Sequence, residues 1–222
     1  MPADARPWRA SVMLCPNMQL FANPDLAYCE INGVLVFLDI ACDRYFCLSK
    51  SRNIEALAYL DHQKMGRNRQ PALGSKANAI QLPVASSPAI EAGPFRIADI
   101  ARAMWVQRRV EKRVASRPFQ SIISDLAAIL DIRSCERSGS GRDPVRMIRA
   151  FEYARLLRTA ADRCLPRSIA LVLCLASDGV RANVVIGVKL APFGAHCWAQ
   201  QGTDVLNDSV EEVLRYRPIL VI

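Results

Sequence analysis

The sequence of 222 residues lacks the features that mark membrane and secreted proteins. No uninterrupted apolar stretch approaches the roughly eighteen residues that a membrane-spanning helix needs. The first residues, MPADARPWRASVMLCPNM, include basic side chains but no apolar block of the kind that a secretory signal requires. We therefore expect a cytoplasmic protein without a membrane partner.

Two further absences limit the chemistry. Eight cysteines are present, but no two form a Cys-x-x-Cys pair, which argues against a zinc ribbon and a thioredoxin-like site. No metal site is predicted. In a reducing cytoplasm most of these cysteines are expected to be small buried side chains. A Walker-type phosphate loop is also missing, so no bound nucleotide is assigned.

The charge of the chain is positive, with a formal net charge of +8. Such a balance favours anionic partners, including nucleic acids, acidic peptides and nucleotides. The segment RRVEKRVASR, residues 108–117, holds five Lys or Arg against one Glu. It is typical of a solvated helix face, and a nucleic-acid contact is the alternative interpretation.

The hydropathy pattern predicts a small β-rich module near the beginning of the chain. The stretch LAYCEINGVLVFLDIACDRYFCL predicts three short strands, the first two joined by an Asn32-Gly33 turn. The strands are expected near 27–31, 34–40 and 44–48. A helix over 53–64 should follow, with Ile54, Leu57 and Ala58 on its apolar side.

Later residues predict helices followed by antiparallel strands. The helices are expected from Phe95 to just before Pro118, over 119–130, over 145–161, and in CLPRSIALVLCLAS before Gly179. The strands are expected at 182–190, 195–200, 204–207 and 219–221. The fold class is therefore α+β. We divide the chain into an arm (1–24), a first domain (25–82), a linker (83–94) and a second domain (95–222).

Cys164 is the cysteine best placed for reactivity. Pro166 is comfortable only in the first turn of a helix, so Cys164 lies at or just before a helix N-terminus. The unpaired amides and the helix dipole there lower a thiol's pKa, and Arg163 and Arg167 should add positive potential. Cys174 and Cys197 are predicted to be structural.

A nucleophilic thiol needs a base, and the base needs an orienting acid. One of the two histidines, His196, lies on a predicted strand twelve residues before Asp208. A three-residue loop over 201–203 would place these two side chains opposite each other, about 5 Å apart, with Trp198 shielding them. A two-residue turn would place Ser209 opposite His196 instead, and the sequence leaves both turns open.

The order Cys, His, Asp on a helix and two strands is that of papain-like and transglutaminase-like folds. The segments CLPRSIALVLCL, VVIGV, PFGAHCW and VLND also resemble, in order and spacing, the lasso-peptide maturation B proteins, which are leader peptidases with a transglutaminase-like core. The resemblance is strong over about 160–208. It implies Cys164 as nucleophile, His196 as general base and Asp208 as orienting acid. Relatives often have Val then Glu or Gln after the Trp, whereas Ala199 and Gln200 stand here.

The segment GVLVFLDIACDRYFCLS resembles the winged-helix-like precursor-recognition element fused to many B proteins. Such elements bind a leader peptide as an added strand along their third strand and an adjacent helix. Carried over to this chain, the docking edge is Arg44 to Leu48, with Tyr45 or Phe46 contacting leader side chains. Filling of the module's own core is the alternative role for these aromatic residues.

The resemblance implies a cysteine endopeptidase that binds the leader of a lasso precursor peptide, cleaves it off and frees the core N-terminus. A separate asparagine-synthetase-like cyclase, which consumes ATP, would then join that amine to an Asp or Glu side chain. Three alternative functions remain open. They are an acyltransferase or transglutaminase with the same triad, a non-catalytic peptide binder, and a nucleic-acid binder.

Overall fold

The computed structural model describes residues 20–65, 80–86, 96–135, 143–157 and 163–222. Its first part is a three-stranded antiparallel sheet in the order β1-β2-β3, followed by helix α1. These elements are β1 (Leu26–Ile31), β2 (Val34–Asp39), β3 (Arg44–Cys47) and α1 (Lys50–Met65). Asn32 and Gly33 have φ of 51° and 76°, as a tight hairpin turn requires. The three predicted strands and their turn are confirmed.

The predicted apolar face of α1 is wrong in part. Ile54 is 59% exposed and Ala58 is exposed, whereas Asn53 and Ala56 are buried against the sheet. The Asn53 side chain accepts a hydrogen bond from Leu35 N at 2.8 Å and donates one to Gly33 O at 2.7 Å. This amide fixes the rotation of α1, so a polar residue occupies the inner face that periodicity assigned to Ile54.

The second part is an α-then-β arrangement around a five-stranded sheet in the order β4-β7-β6-β5-β8. Neighbouring strands are antiparallel except β4 and β7, which pair in parallel. The helices are α2 (Ile97–Ser116), α3 (Phe119–Cys135), α4 (Pro144–Leu156), α5 (Cys164–Ser177) and α6 (Val210–Val213). The strands are β4 (Ala85–Ser86), β5 (Asn183–Leu190), β6 (Phe193–Gln201), β7 (Asp204–Val205) and β8 (Arg217–Val221). The predicted α+β class is confirmed.

Helix α5 is the central helix of this part. It is apolar on nearly every side, which is the pattern of a fully buried helix. It contacts α2, α4 and β6. Pro166 lies in its first turn, and Gly179, with φ of 82°, follows its end, both as predicted. Burial on all sides holds the first residue of the helix, Cys164, in one place.

The small sheet lies between α1 and the second part of the molecule. Leu35 and Phe37 face α1, whereas Val36 and Leu38 join the large core that also contains α5. The range 83–94, predicted as a linker, includes β4, which belongs to the second sheet because it pairs with β7. Most of the predicted arm (1–24) lies outside the described residues, as do 66–79, 87–95, 136–142 and 158–162. In the ranges described, no helix combines the length and apolar character needed to cross a membrane.

Candidate active site

Strand β6 has an open edge beside the first turn of α5. Strand β7 pairs with just two residues of β6, Gln200 and Gln201. In the described part of the chain, the middle of β6 therefore has a strand neighbour on its β5 side alone. Backbone groups at an edge need other partners. Cys197 N–H donates to the Cys164 sulfur, and Cys197 O accepts from Ser168 Oγ at 3.1 Å. The open edge therefore anchors the N-terminal turn of α5.

The Asn207 side chain binds the same edge of β6 two residues further along, at Ala199. Its Oδ1 accepts from Ala199 N at 2.8 Å, and its Nδ2 donates to Ser168 Oγ at 2.9 Å. Both polar side chains are buried. Asn207 and Ser168 together fix three segments relative to one another: α5 with Cys164, β6 with His196, and the bend that carries Asp208.

Of the two turns that the sequence left open before Asp208, the structure has the two-residue turn. Gln201 pairs with Asp204 across a two-residue Gly202-Thr203 turn, with Gly202 at φ of 58°. That register places Ser209 opposite His196 in an ideal ladder. The ladder, however, ends at Val205 and the chain bends over 206–208. The bend, rather than the ladder, brings Asp208 to the imidazole.

The three predicted catalytic side chains form one hydrogen-bonded chain. His196 Nε2 lies 2.8 Å from Asp208 Oδ2, and the other imidazole nitrogen is left for the Cys164 thiol, with which His196 is hydrogen-bonded. Asp208 Oδ1 accepts from Ser209 N at 2.8 Å, which fixes the carboxylate. The His196 and Asp208 side chains are 17% and 21% exposed, so substrate can reach the site while most water is excluded.

The electrostatics of the site favour a thiolate–imidazolium pair. Burial alone would raise the pKa of Cys164, but the hydrogen bond and charge of His196 outweigh it, so the pKa lies below its usual value. Burial opposes protonation of His196, but hydrogen bonds to Asp208 and Cys164 raise its pKa to about 9. The pKa of Asp208 is lowered, because hydrogen bonds from His196 and Ser209 outweigh its burial.

The two arginines beside Cys164 have other partners than the thiol. Arg163 pairs with Glu111 at 3.4 Å, and Arg167 lies 3.9 Å from Asp208 and donates to Asn207 O. The predicted contribution of these arginines to the thiol is therefore not the main cause of its lowered pKa. That cause is His196.

Two aromatic rings cover the imidazole, and the sequence predicted only one of them. Trp198 is buried, with its ring centroid 6.2 Å from that of His196, in the shielding position predicted for it. The ring of Tyr216 lies 5.1 Å from the imidazole, and no motif pointed to it. Both rings need Gly187, because a Cβ there would lie 2.8 Å from Trp198 and 2.9 Å from Tyr216 Cβ. This explains the glycine in VVIGV.

Gln200 has a structural role behind the triad. Its side chain is buried, accepts from Trp198 Nε1 at 3.0 Å and donates to Gln81 O and Gly202 O, each at 2.7 Å. It therefore orients Trp198 and ties residues 80–86 to the sheet. Among the described residues, no group of three or more His, Cys, Asp or Glu side chains is placed to hold a metal ion.

The residues predicted to contact a leader lie on or next to the edge strand of the small sheet. Arg44 is exposed, whereas Phe46 stacks on Phe37 at 5.2 Å on the α1 side. Tyr45 points to the other side, with its ring 5.6 Å from Phe193 of β6. Leu48 follows β3 and packs in the α1-side cluster. Both aromatic side chains thus have packing partners within the protein.

A family model for the transglutaminase-like superfamily matches residues 98–221, more than half of the chain. The chain belongs to the transglutaminase-like superfamily. Its match covers α2 to β8 and so contains Cys164, His196 and Asp208. The chain is also 44% identical over 46 residues to the Microcin J25-processing protein McjB of Escherichia coli. That match covers 21% of this chain and 22% of McjB. No solved structure shows a significant match. The two matches support the resemblance to lasso-peptide maturation B proteins.

Proposed function

We propose that this transglutaminase-like protein is a cysteine endopeptidase that removes the leader from a lasso-peptide precursor. The observation that carries the proposal is the hydrogen-bonded chain from Cys164 through His196 to Asp208. The name of the similar McjB, a microcin J25-processing protein, supports a precursor peptide as substrate.

The proposed reaction has two stages, acylation of Cys164 and hydrolysis of the resulting thioester. The Cys164 thiolate attacks the scissile carbonyl carbon and forms a tetrahedral intermediate. His196, protonated and held by Asp208, gives its proton to the leaving nitrogen, and the C–N bond breaks. The core departs with a free amine, and the leader remains as a thioester on Cys164. Water, deprotonated by His196, then hydrolyses the thioester and restores the thiolate.

Oxyanion stabilisation is assigned to backbone N–H groups. Cys164 is the first residue of α5, so its N–H has no partner within the helix. An amide at that position can donate to the oxygen of the tetrahedral intermediate. This role of the Cys164 amide is part of the proposal.

Leader binding is assigned to strand β3. In the described part of the chain β3 pairs only with β2, so its outer edge offers unpaired backbone groups to an added strand. The nearness of Tyr45 to Phe193 places this edge beside the strand that carries His196. A leader docked on β3 is therefore close to the thiol that cleaves it.

The partners proposed are the precursor leader and an asparagine-synthetase-like cyclase that uses the released amine. ATP is assigned to that cyclase. A nucleic-acid contact by 108–117 is not adopted, since two of its arginines have partners in the chain: Arg117 pairs with Asp125, and Arg109 lies 4.6 Å from the Trp105 ring.

The test is incubation of the full chain with a precursor peptide, followed by mass spectrometry. Wild type should release the leader with the mass of one added water, and Cys164→Ala should abolish release. Cys42→Ala, at an exposed cysteine of the small sheet, is the matched control and should retain full activity. Transfer of an added amine to the leader would instead identify an acyltransferase. Unchanged cleavage by Cys164→Ala would refute the assigned nucleophile.

A further inference from the structure

A cavity of about 710 Å³ lies next to the proposed catalytic site, on the Trp198 face of the second sheet. Its walls come from the β1–β2 turn, residues 80–83, the β5–β6 turn and residues 213–218. Its volume is within the range of about 300–1,000 Å³ that is usual for ligand sites.

The cavity is joined to the imidazole by two shared side chains. Trp198 and Tyr216 line the cavity, and the same two rings contact His196, with centroids 6.2 and 5.1 Å away. Lys189, another wall residue, places its Nζ 4.8 Å from the centre of the Tyr216 ring. The cavity is therefore separated from the imidazole only by the rings of Trp198 and Tyr216.

The chemistry of cleavage sets which part of a substrate lies there. His196 must give its proton to the leaving nitrogen, so that nitrogen lies against the imidazole. The residues that follow the scissile bond continue from it. These residues of the substrate therefore extend from the thiol toward the imidazole and on to Trp198 and Tyr216, which line the cavity.

The charges of the walls select among such segments. Among the described residues that line the cavity, none is Asp or Glu and three are cationic: Lys189, Arg215 and Arg217. Arg215 is already paired with Glu212 at 2.9 Å. Arg217 lies opposite Val188, whose side chain is in the large core, so the Arg217 side chain leaves the sheet on the face away from Trp198. Lys189 is thus the cation best placed to meet a carboxylate, while Leu190 and Leu214 offer apolar contacts.

We propose that this cavity is the subsite for the peptide segment that follows the scissile bond, and that Lys189 selects an acidic side chain in it. The inference rests on the proposed peptidase function and adds to it a preference on the released side of the substrate. Charge complementarity of this kind discriminates among partners, because a like charge in the same place is repelled.

The test uses the full chain and sets of three precursor peptides. The peptides of a set differ at one residue after the cleavage site, which is Asp, Ala or Lys, and each position after the cleavage site has its own set. At the position that enters the cavity, we expect kcat/KM at least tenfold higher for Asp than for Lys. The variant Lys189→Glu should reverse the order. Arg108→Glu, on the exposed side of α2, is the matched charge control and should leave the order unchanged.

The outcomes separate this inference from the proposed function. Equal cleavage of all three peptides at every position overturns the subsite and leaves the peptidase function standing. A preference for Asp that survives charge reversal also overturns it. If wild type cleaves none of the peptides, the proposed function fails and the subsite with it. Should Lys189→Glu not fold, Lys189→Met must at least halve the preference, and an unchanged preference refutes the inference.

Discussion

At the scale of single residues, Cys164 differs from the other described cysteines in the partners of its sulfur. Burial raises the pKa of Cys29 to about 12 and that of Cys174 to about 11, and it raises the pKa of Cys197 as well. None of these thiols has a hydrogen-bonded imidazole. Cys164 is half-buried, yet its pKa is lowered because His196 is its partner. The position at a helix start pointed to the same cysteine, although His196 is the main cause of its lowered pKa.

Alkylation by iodoacetamide should single out Cys164 at mildly acidic pH. An ordinary thiol, with a pKa of about 8.5, is almost fully protonated at pH 6. Cys164 stays a thiolate until the pH falls through its lowered pKa, so we expect it to react at least tenfold faster than exposed Cys42. The pKa of Cys42 is raised by a hydrogen bond and the charge of Asp39. Peptide mapping by mass spectrometry over pH 5–9 measures both rates.

The same experiment on Asp208→Asn tests the cause. Asparagine can still accept a hydrogen bond, but His196 loses the negative charge that helps to raise its pKa, and less thiolate forms at pH 6. The rate advantage of Cys164 should therefore shrink. Equal rates for Cys164 and Cys42 in the wild type would contradict the thiolate–imidazolium pair.

Arg167 is a positioning residue of this site. It lies 3.9 Å from Asp208, donates to Asn207 O, and its side chain is only 15% exposed. Removing a positive charge raises the pKa of nearby acids. Arg167→Met should therefore lower kcat/KM about tenfold and move the acid limb of the pH profile to higher pH, and Arg167→Lys should restore part of that shift.

The control for Arg167 is its neighbour at the start of α5. Arg163 pairs with Glu111 rather than with Asp208. Arg163→Met should leave the acid limb in place. A profile of Arg167→Met that superimposes on that of wild type would reduce Arg167 to a structural residue.

At the scale of secondary structure elements, the sequence was most informative where a pattern depends on local chemistry. The Asn32-Gly33 turn, Pro166 in the first turn of α5 and Gly179 after its end all lie where predicted. The sequence did not decide the length of the turn between β6 and β7, because Gly202 fits a two-residue and a three-residue loop equally well. The contact between His196 and Asp208 depends on the bend at 206–208, which Asn207 and Ser168 hold through buried hydrogen bonds. Such long-range bonds leave no periodic signal.

The pairing of β5 and β6 gives an element-scale prediction at Gly187, which lies opposite His196. A methyl group at Gly187 would meet the Trp198 ring at 2.8 Å and Tyr216 Cβ at 2.9 Å, so both residues must shift. Gly187→Ala should cost about 1–3 kcal/mol of unfolding free energy and lower kcat, because the cover of the imidazole moves. Urea unfolding and peptide cleavage measure the two effects.

Gly194 on the neighbouring strand is the matched control. A Cβ there lies 3.1 Å from Lys189 Cε, the end of a flexible side chain that can move away. Gly194→Ala should therefore change stability and kcat little. If Gly187→Ala behaves like Gly194→Ala, the close approach of Trp198 to β5 is not required by the site.

At the scale of the whole molecule, the small sheet is part of the same apolar core as the helices of the second part. Val36, Leu38 and Ile40 are in contact with a cluster that extends to α2, α4, α5 and the second sheet. The other face of the same sheet packs on α1 in a separate cluster. Strands β1 and β8 are also in contact. The strand assigned to leader binding and the strand that carries His196 are thus fixed relative to each other by buried side chains.

Two leucines of β2 allow this coupling to be measured. Leu35 and Leu38 are both fully buried, but Leu35 faces α1 and Leu38 faces the shared core. Alanine at either position should cost about 2–5 kcal/mol. Hydrogen exchange should then separate them: Leu38→Ala should speed exchange in β8 as well as in β2, whereas Leu35→Ala should speed it mainly in β2 and α1. Unchanged protection of β8 in Leu38→Ala would mean that the small sheet and the transglutaminase-like part open independently, and that docking of a leader on β3 is not transmitted to the thiol through the core.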